Sequence, residues 1–195
     1  MTAVLSACGS GNTFEGKWVG KLDVTKQFED GIKANYTDLA EYVDFEDLVF
    51  VLDVEFSEHD MMMSVQQESI DAFTDKFEAG MENMGREALV AYLDSMEMTM
   101  EEVVAESGMT EGQYLEHIFR QMNIEKMAES MQSVTEKSLK GLSAVRGSYT
   151  FDDNDIHLRY TDGAYESIGY EFEGKNLILT IKGDGYSLRI VCEKQ

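Results

Sequence analysis

The sequence predicts an α+β fold, an eight-stranded antiparallel barrel or curled sheet interrupted by a helical subdomain. Three observations lead there. Both ends of the 195-residue chain alternate apolar and polar residues with the two-residue period of half-buried strands. The middle repeats its apolar residues at the spacing of an amphipathic helix. Short segments rich in Gly, Asp and Asn separate the strand-like runs, as hairpin turns require.

The first strand is carried by Trp18, Gly20, Leu22 and Val24, alternating with Lys17, Lys21 and Asp23. Thr25 is placed to cap a helix bearing Phe28, Ile32, Leu39 and Val43. A second strand alternates Phe50, Leu52, Val54 and Phe56 against Asp53 and Glu55. Glu58-His59-Asp60 then turns the chain into a third, from Met61 to Gln66.

From 67 to 140 the pattern is helical, with Ile70, Phe73, Phe77, Met81 and Met84 along one face. Thr99 with Glu102, and Thr110 with Gln113, are two capping boxes. Met98 and Met109 precede them, where they would staple onto Val103 and Tyr114. Leu115, Ile118, Met122, Met127 and Met131 continue the helical spacing.

From Ser143 onward the chain reads as a β-meander. Tyr149 and Phe151 face Ile156, Leu158 and Tyr160 across Asp152-Asp153-Asn154-Asp155. Ile168, Tyr170 and Phe172 lead through Gly174-Lys175 to Leu177, Leu179 and Ile181. Gly183-Asp184-Gly185 then turns into Tyr186, Leu188 and Ile190. Three strands before the helical stretch and five after it make eight, which suits an up-and-down barrel.

Composition narrows the function classes. Hydrophobic residues make up 43% of the chain, with ten Phe, enough for a packed core. No apolar run reaches the 18 residues of a membrane span. The 38 acidic and 16 basic residues give a net charge of −22, which repels nucleic-acid phosphate and anionic membrane surfaces. Val104 to Phe119 has the spacing of a helix-turn-helix, with Ala105, Gly108, Met109, Thr110 and Tyr114-Leu115 in the usual places. Yet residues 67–140 hold 6 basic and 16 acidic side chains, so two capped packing helices are expected rather than a DNA reader.

Leu5-Ser6-Ala7-Cys8-Gly9 resembles the lipobox of bacterial lipoproteins, and Gly9-Ser10-Gly11-Asn12 looks like the tether that follows it. The resemblance implies a diacylglycerol on Cys8 and removal of the peptide before it. It also implies an extracytoplasmic protein lipid-anchored to the bacterial cell membrane. Met1 to Leu5 carry no Lys or Arg, so Met1 is read as falling inside the apolar part of a signal segment.

Gly16-Lys17-Trp18 resembles the G-x-W signature of the lipocalin and calycin superfamily, in which the Trp closes the base of an eight-stranded barrel, often beneath an arginine near the last strand. Arg189 lies in the last strand here, but its phase points away from Leu188 and Ile190. The whole chain is similar to a group of uncharacterised bacterial lipoproteins that join a lipobox to a "G-x-W-x-G" strand, here Gly16 to Gly20, and to a Met-rich helical stretch. The organisation expected is a signal remnant, lipobox and tether at 1–11, a lipocalin-like β-domain at 12–66 plus 141–195, and the helical insertion at 67–140.

Candidate chemistry is sparse. Twelve of the thirteen methionines lie between Met61 and Met131. Thioethers suit Cu(I), but methionine also fills irregular helical interfaces and adaptable apolar surfaces. His59, His117 and His157 have no zinc-like spacing. Asp152 to Asp155 is calcium-like in composition only, lacking the central glycine and the distal glutamate. No nucleophile elbow, phosphate loop or dinucleotide fingerprint occurs. Cys192, in phase with Tyr186, Leu188 and Ile190, is expected to be a small buried apolar residue, not the partner of Cys8.

The inward phases carry Trp18, Phe50, Phe56, Tyr149, Tyr160, Tyr170 and Tyr186. So many large rings should fill most of an eight-stranded barrel, which leaves its mouth, against the inserted helices, for a ligand. The expectation is a non-enzymatic envelope protein with no metal or other cofactor. It would bind an apolar small molecule, a lipid or an envelope protein. The alternatives are an interaction protein with no small-molecule site, and methionine-based Cu(I) binding.

Overall fold

A computed structural model of the chain describes residues 14–121, 126, 145–160, 163–183 and 186–195. The lipobox segment with Cys8, the methionines Met122, Met127 and Met131, and the side chain of Tyr186 lie outside the described residues.

Eight antiparallel strands close into a barrel in sequence order. They are β1 (Gly16–Asp23), β2 (Val49–Phe56), β3 (Asp60–Val65), β4 (Val145–Phe151), β5 (Asp155–Tyr160), β6 (Tyr165–Glu173), β7 (Asn176–Gly183) and β8 (Tyr186–Lys194). The expected eight-stranded barrel with a helical insertion is the fold observed. β1 and β8 complete the ring, with Trp18 opposite Lys194 and Leu22 opposite Ile190.

The period-2 alternation seen in the sequence sets which side chains fill the barrel. Trp18, Leu22, Leu52, Val54, Phe56, Met61, Met63, Ile156, Leu158, Ile168, Leu179, Ile190 and Cys192 are all at most 2% exposed. The two glycines of the G-x-W-x-G strand have different causes. Gly16 holds φ at +120°, a backbone conformation that L side chains rarely adopt. Gly20 faces Ile190, where an added Cβ would sit 2.7 Å from Ile190 Cγ2. The first is a backbone requirement and the second a packing one.

Ile178 breaks the alternation, being fully buried on the outer phase of β7. The register explains it. Arg189 on β8 reaches Glu173 on β6 at 2.8 Å, so this outer-face ion pair spans the strand that carries Ile178. Arg189 therefore points outward, in agreement with its phase.

The chain divides into two compact units, and the second, drawn from Asp23–Phe50 and Val65–Ser143, holds the described helices. The segment Asp23–Phe50 clusters with the described helices. It contains α1 (Thr25–Asn35) and a 3₁₀ turn (Thr37–Tyr42) rather than one helix running to Val43. Thr25 is not the expected cap. The cap position falls on Val24 with no side-chain bond, and Thr25 Oγ1 instead accepts from the Leu48 N–H at 2.9 Å. Its hydroxyl is taken by the chain returning from the 3₁₀ turn.

α2 (Gln67–Ser95) buries Phe73, Phe77, Met81, Met84, Leu89 and Leu93. Phe73 and Phe77 are the middle of an aromatic stack completed by Phe28, Phe45 and Phe50. Phe45 lies on Gly80, where an added Cβ would be 2.3 Å from its ring. Farther along, Leu89 and Leu93 form a second small core with Val103 of α3 (Met100–Ser107) and Leu115 of α4 (Glu111–Gln121).

Both capping boxes form. Thr99 and Glu102 exchange bonds at the start of α3, as do Thr110 and Gln113 before α4. Met98 stands between two motifs. The end of α2 is a Schellman motif, with Met98 N–H donating to Leu93 O and Glu97 N–H to Asp94 O. Met98 packs on the Leu89–Leu93–Val103–Leu115 core, so it serves both as the apolar contact ending α2 and as the staple beginning α3.

Candidate functional site

The barrel has two unlike ends, fixed by which connections lie at each. One end, the base, carries the start of β1 and the short β2–β3, β4–β5 and β6–β7 turns. The long connections 24–48 and 66–144 leave from the opposite rim.

The base is sealed by aromatic side chains centred on Phe14, which precedes β1 and is only 7% exposed. Its ring centroid lies 4.7 Å from Tyr170, 5.0 Å from Phe151, 5.4 Å from Phe56 and 5.6 Å from Phe172. Trp18 Nε1 donates to Phe14 O at 2.8 Å, which satisfies the one polar atom of a 2%-exposed indole. Lys194 Nζ stands 5.2 Å from the Trp18 ring centroid. The cation over the tryptophan is a lysine of β8, and Arg189, the arginine that the resemblance would place there, points outward to Glu173.

Two tyrosine hydroxyls tie the base turns down. Tyr149 donates to Ser57 O at 3.0 Å and Tyr170 to Asp152 O at 2.7 Å. Burial, with nearby carboxylates second, raises the pKa of both phenols. They stay neutral donors at physiological pH.

The rim differs in chemistry. On β5 and β6 the inward phase runs Ile156, Leu158, Tyr160 and Glu166, Ile168, Tyr170. Half-buried Glu166, paired with Leu158, accepts a hydrogen bond from the Tyr160 hydroxyl. On the outer phase of the same hairpin Arg159 stands 5.5 Å from the Tyr165 ring centroid.

The six aromatic site candidates therefore fall in three places. Trp18, Phe56, Tyr149 and Tyr170 meet at the base, and Tyr160 lies at the opposite rim. Phe50 stacks on Phe73 at 4.4 Å within the helical unit. Phe14, Lys194 and Glu166 were not singled out from sequence. Phe14 is an isolated apolar residue after a polar tether, and Lys194 continues the phase of Ile190 and Cys192. Both signals exist, but each is a single residue.

A third grouping lies on the outer face of the barrel. His157 Nδ1 lies 3.0 Å from Ser167 Oγ and its Nε2 lies 2.9 Å from Asp152 Oδ2. Asp152 also accepts from the N–H groups of Asn154 and Asp155. The His157 bond first, then these two, hold its carboxyl down at about 2. These are the residue types of a hydrolytic triad, in a row on a solvent-facing sheet. What the row does is clamp the β4–β5 turn to β6.

Cys192 is fully buried and burial pushes its thiol up to about 12, so it is chemically inert in the fold. Among the described residues no group of three or more His, Cys, Asp or Glu side chains is placed to hold a metal ion. No described helix is long and apolar enough to cross a membrane.

Fold and site together define a closed, up-and-down, eight-stranded β-barrel of lipocalin-like architecture with helical insertions. No protein family, curated protein or solved structure matches the chain.

Proposed function

We propose that the protein is a bacterial cell-envelope lipoprotein, lipid-anchored through Cys8. Its lipocalin-like barrel binds an apolar small molecule or lipid without catalysis. The observation that carries this reading is the asymmetry of the barrel. Its base is plugged by Phe14 and Trp18, while the far rim presents inward-facing groups that the barrel core does not absorb. With the base plugged, the far rim is the end at which a ligand would enter, and apolar neighbours there favour an apolar one. The Leu5–Cys8 resemblance supports the anchor, and the net charge of −22 supports lipid rather than surface electrostatics as the means of membrane attachment.

A second reading has its own support. The barrel interior is occupied by large buried side chains, which suits an interaction protein of the envelope with no small-molecule site. Native mass spectrometry of the protein purified from a bacterial membrane decides between them. A co-purified lipid or small molecule is expected, and a bare polypeptide mass supports the interaction protein instead. In the same host the Cys8→Ala protein should leave the membrane fraction; retention there would refute anchoring through this residue.

A further inference from the structure

We infer that Glu166, held by Tyr160 at the inward rim of the barrel, is a headgroup site for a cationic amphiphile, an alkyl chain ending in an ammonium group. The inference rests on the binding reading proposed above and assigns its ligand a charge.

Two charged side chains share the inward phase of the described strands, one at each end. Lys194 is engaged over the Trp18 ring at the base. Glu166 stands at the other end, next in phase to Ile168, which is fully buried. A carboxylate on an apolar, half-buried face is costly unless its charge is used. Tyr160 supplies one donor, which orients the carboxylate, and among the described residues no cation pairs with it. A ligand ammonium would supply that cation, beside an aromatic ring whose face also attracts cations. Arg159, the nearby cation, is on the outer phase against Tyr165 and does not fill the role. The field of the whole chain acts in the same direction. A net charge of −22 concentrates cations at the barrel and repels fatty-acid carboxylates.

The test uses isothermal titration of the full-length protein with three probes of one chain length: decylammonium, decanoate and decanol. The ammonium should bind tightest and decanoate weakest. Glu166→Gln should weaken the ammonium at least about tenfold, the loss of one charge-assisted contact, and leave decanol unchanged. Glu171→Gln, an exposed carboxylate on the outer phase of the same strand, should leave the ammonium affinity within about twofold, as a screened surface charge does. Tyr160→Phe keeps the ring and removes only the hydroxyl, so it tests the site should Glu166→Gln fail to fold. It should weaken the ammonium and spare decanol. Equal weakening by Glu166→Gln and Glu171→Gln would mean diffuse charge attraction and overturn the headgroup assignment. Decanol binding with no preference for the ammonium would overturn it too, while leaving the apolar-ligand reading intact. If none of the three probes binds, the proposed function itself fails.

Discussion

Phe14 and Trp18 depend on each other through both contacts of one residue pair. The Phe14 carbonyl satisfies the indole N–H, and the Phe14 ring fills the space among Phe56, Phe151, Tyr170 and Phe172. Phe14→Ala should therefore do two things: cost about 3–5 kcal/mol of stability, the range for a buried phenylalanine, and shift the Trp18 emission to the red as water reaches the base. Urea unfolding followed by tryptophan fluorescence reads both. A native-like blue emission in the variant would show that the base closes without Phe14. Asp152 makes a prediction about pH. Its folded pKa lies below its ordinary value, so its contribution is present above about pH 4 and is lost as pH falls toward 2. Protection of the Asn154 and Asp155 amides against hydrogen exchange should fall across that window. In Asp152→Asn, which keeps the acceptor without the titration, the same protection should be insensitive to pH there.

At the scale of elements, strands were more legible in the sequence than helices. A period of two leaves little ambiguity, and each run from Trp18 to Ile190 falls on a strand of the barrel. Both capping boxes were equally plain, because they are local and reciprocal. What the sequence hid depends on distant partners. Thr25 has every local qualification for a cap, yet Leu48, 23 residues away, takes its hydroxyl. Phe50 has the phase of a barrel residue, but Phe73 of α2 takes its ring. At the candidate site, the inward phases of Trp18 and Tyr160 were visible, whereas their assignment to opposite ends needed the register. The end of α2 yields a prediction. Glu97 occupies the left-handed position of the Schellman motif at φ +56°, where glycine is the unstrained residue. Glu97→Gly should stabilise the protein by about 0.5–1 kcal/mol, read as a raised denaturation midpoint. Glu97→Val should do the reverse.

For the whole molecule, charge is the dominant global property. Thirty-eight acidic against sixteen basic residues leave the folded chain under self-repulsion, because folding brings these charges together. The exposed pairs that relieve it, such as Lys26–Asp30 and Arg189–Glu173, are each worth little in water. Raising the ionic strength from about 0.02 to 0.5 M shortens the screening length severalfold, so the melting temperature should rise with added sodium chloride. A melting temperature that falls with salt would mean that attractive pairs outweigh the repulsion.

The closure of β1 on β8 has a consequence for the order of events during synthesis. Trp18 is made early, but its strand partner Lys194 lies on β8 and its ring neighbour Phe172 on β6, both made long after it. The segments of the helical unit all precede β4, so that unit can form while the first strands still await their partners. Pairings this distant in sequence form slowly, and until they form the apolar faces of β1 to β3 stay uncovered. The barrel therefore assembles late: β1 cannot lock into it until β8 has been made.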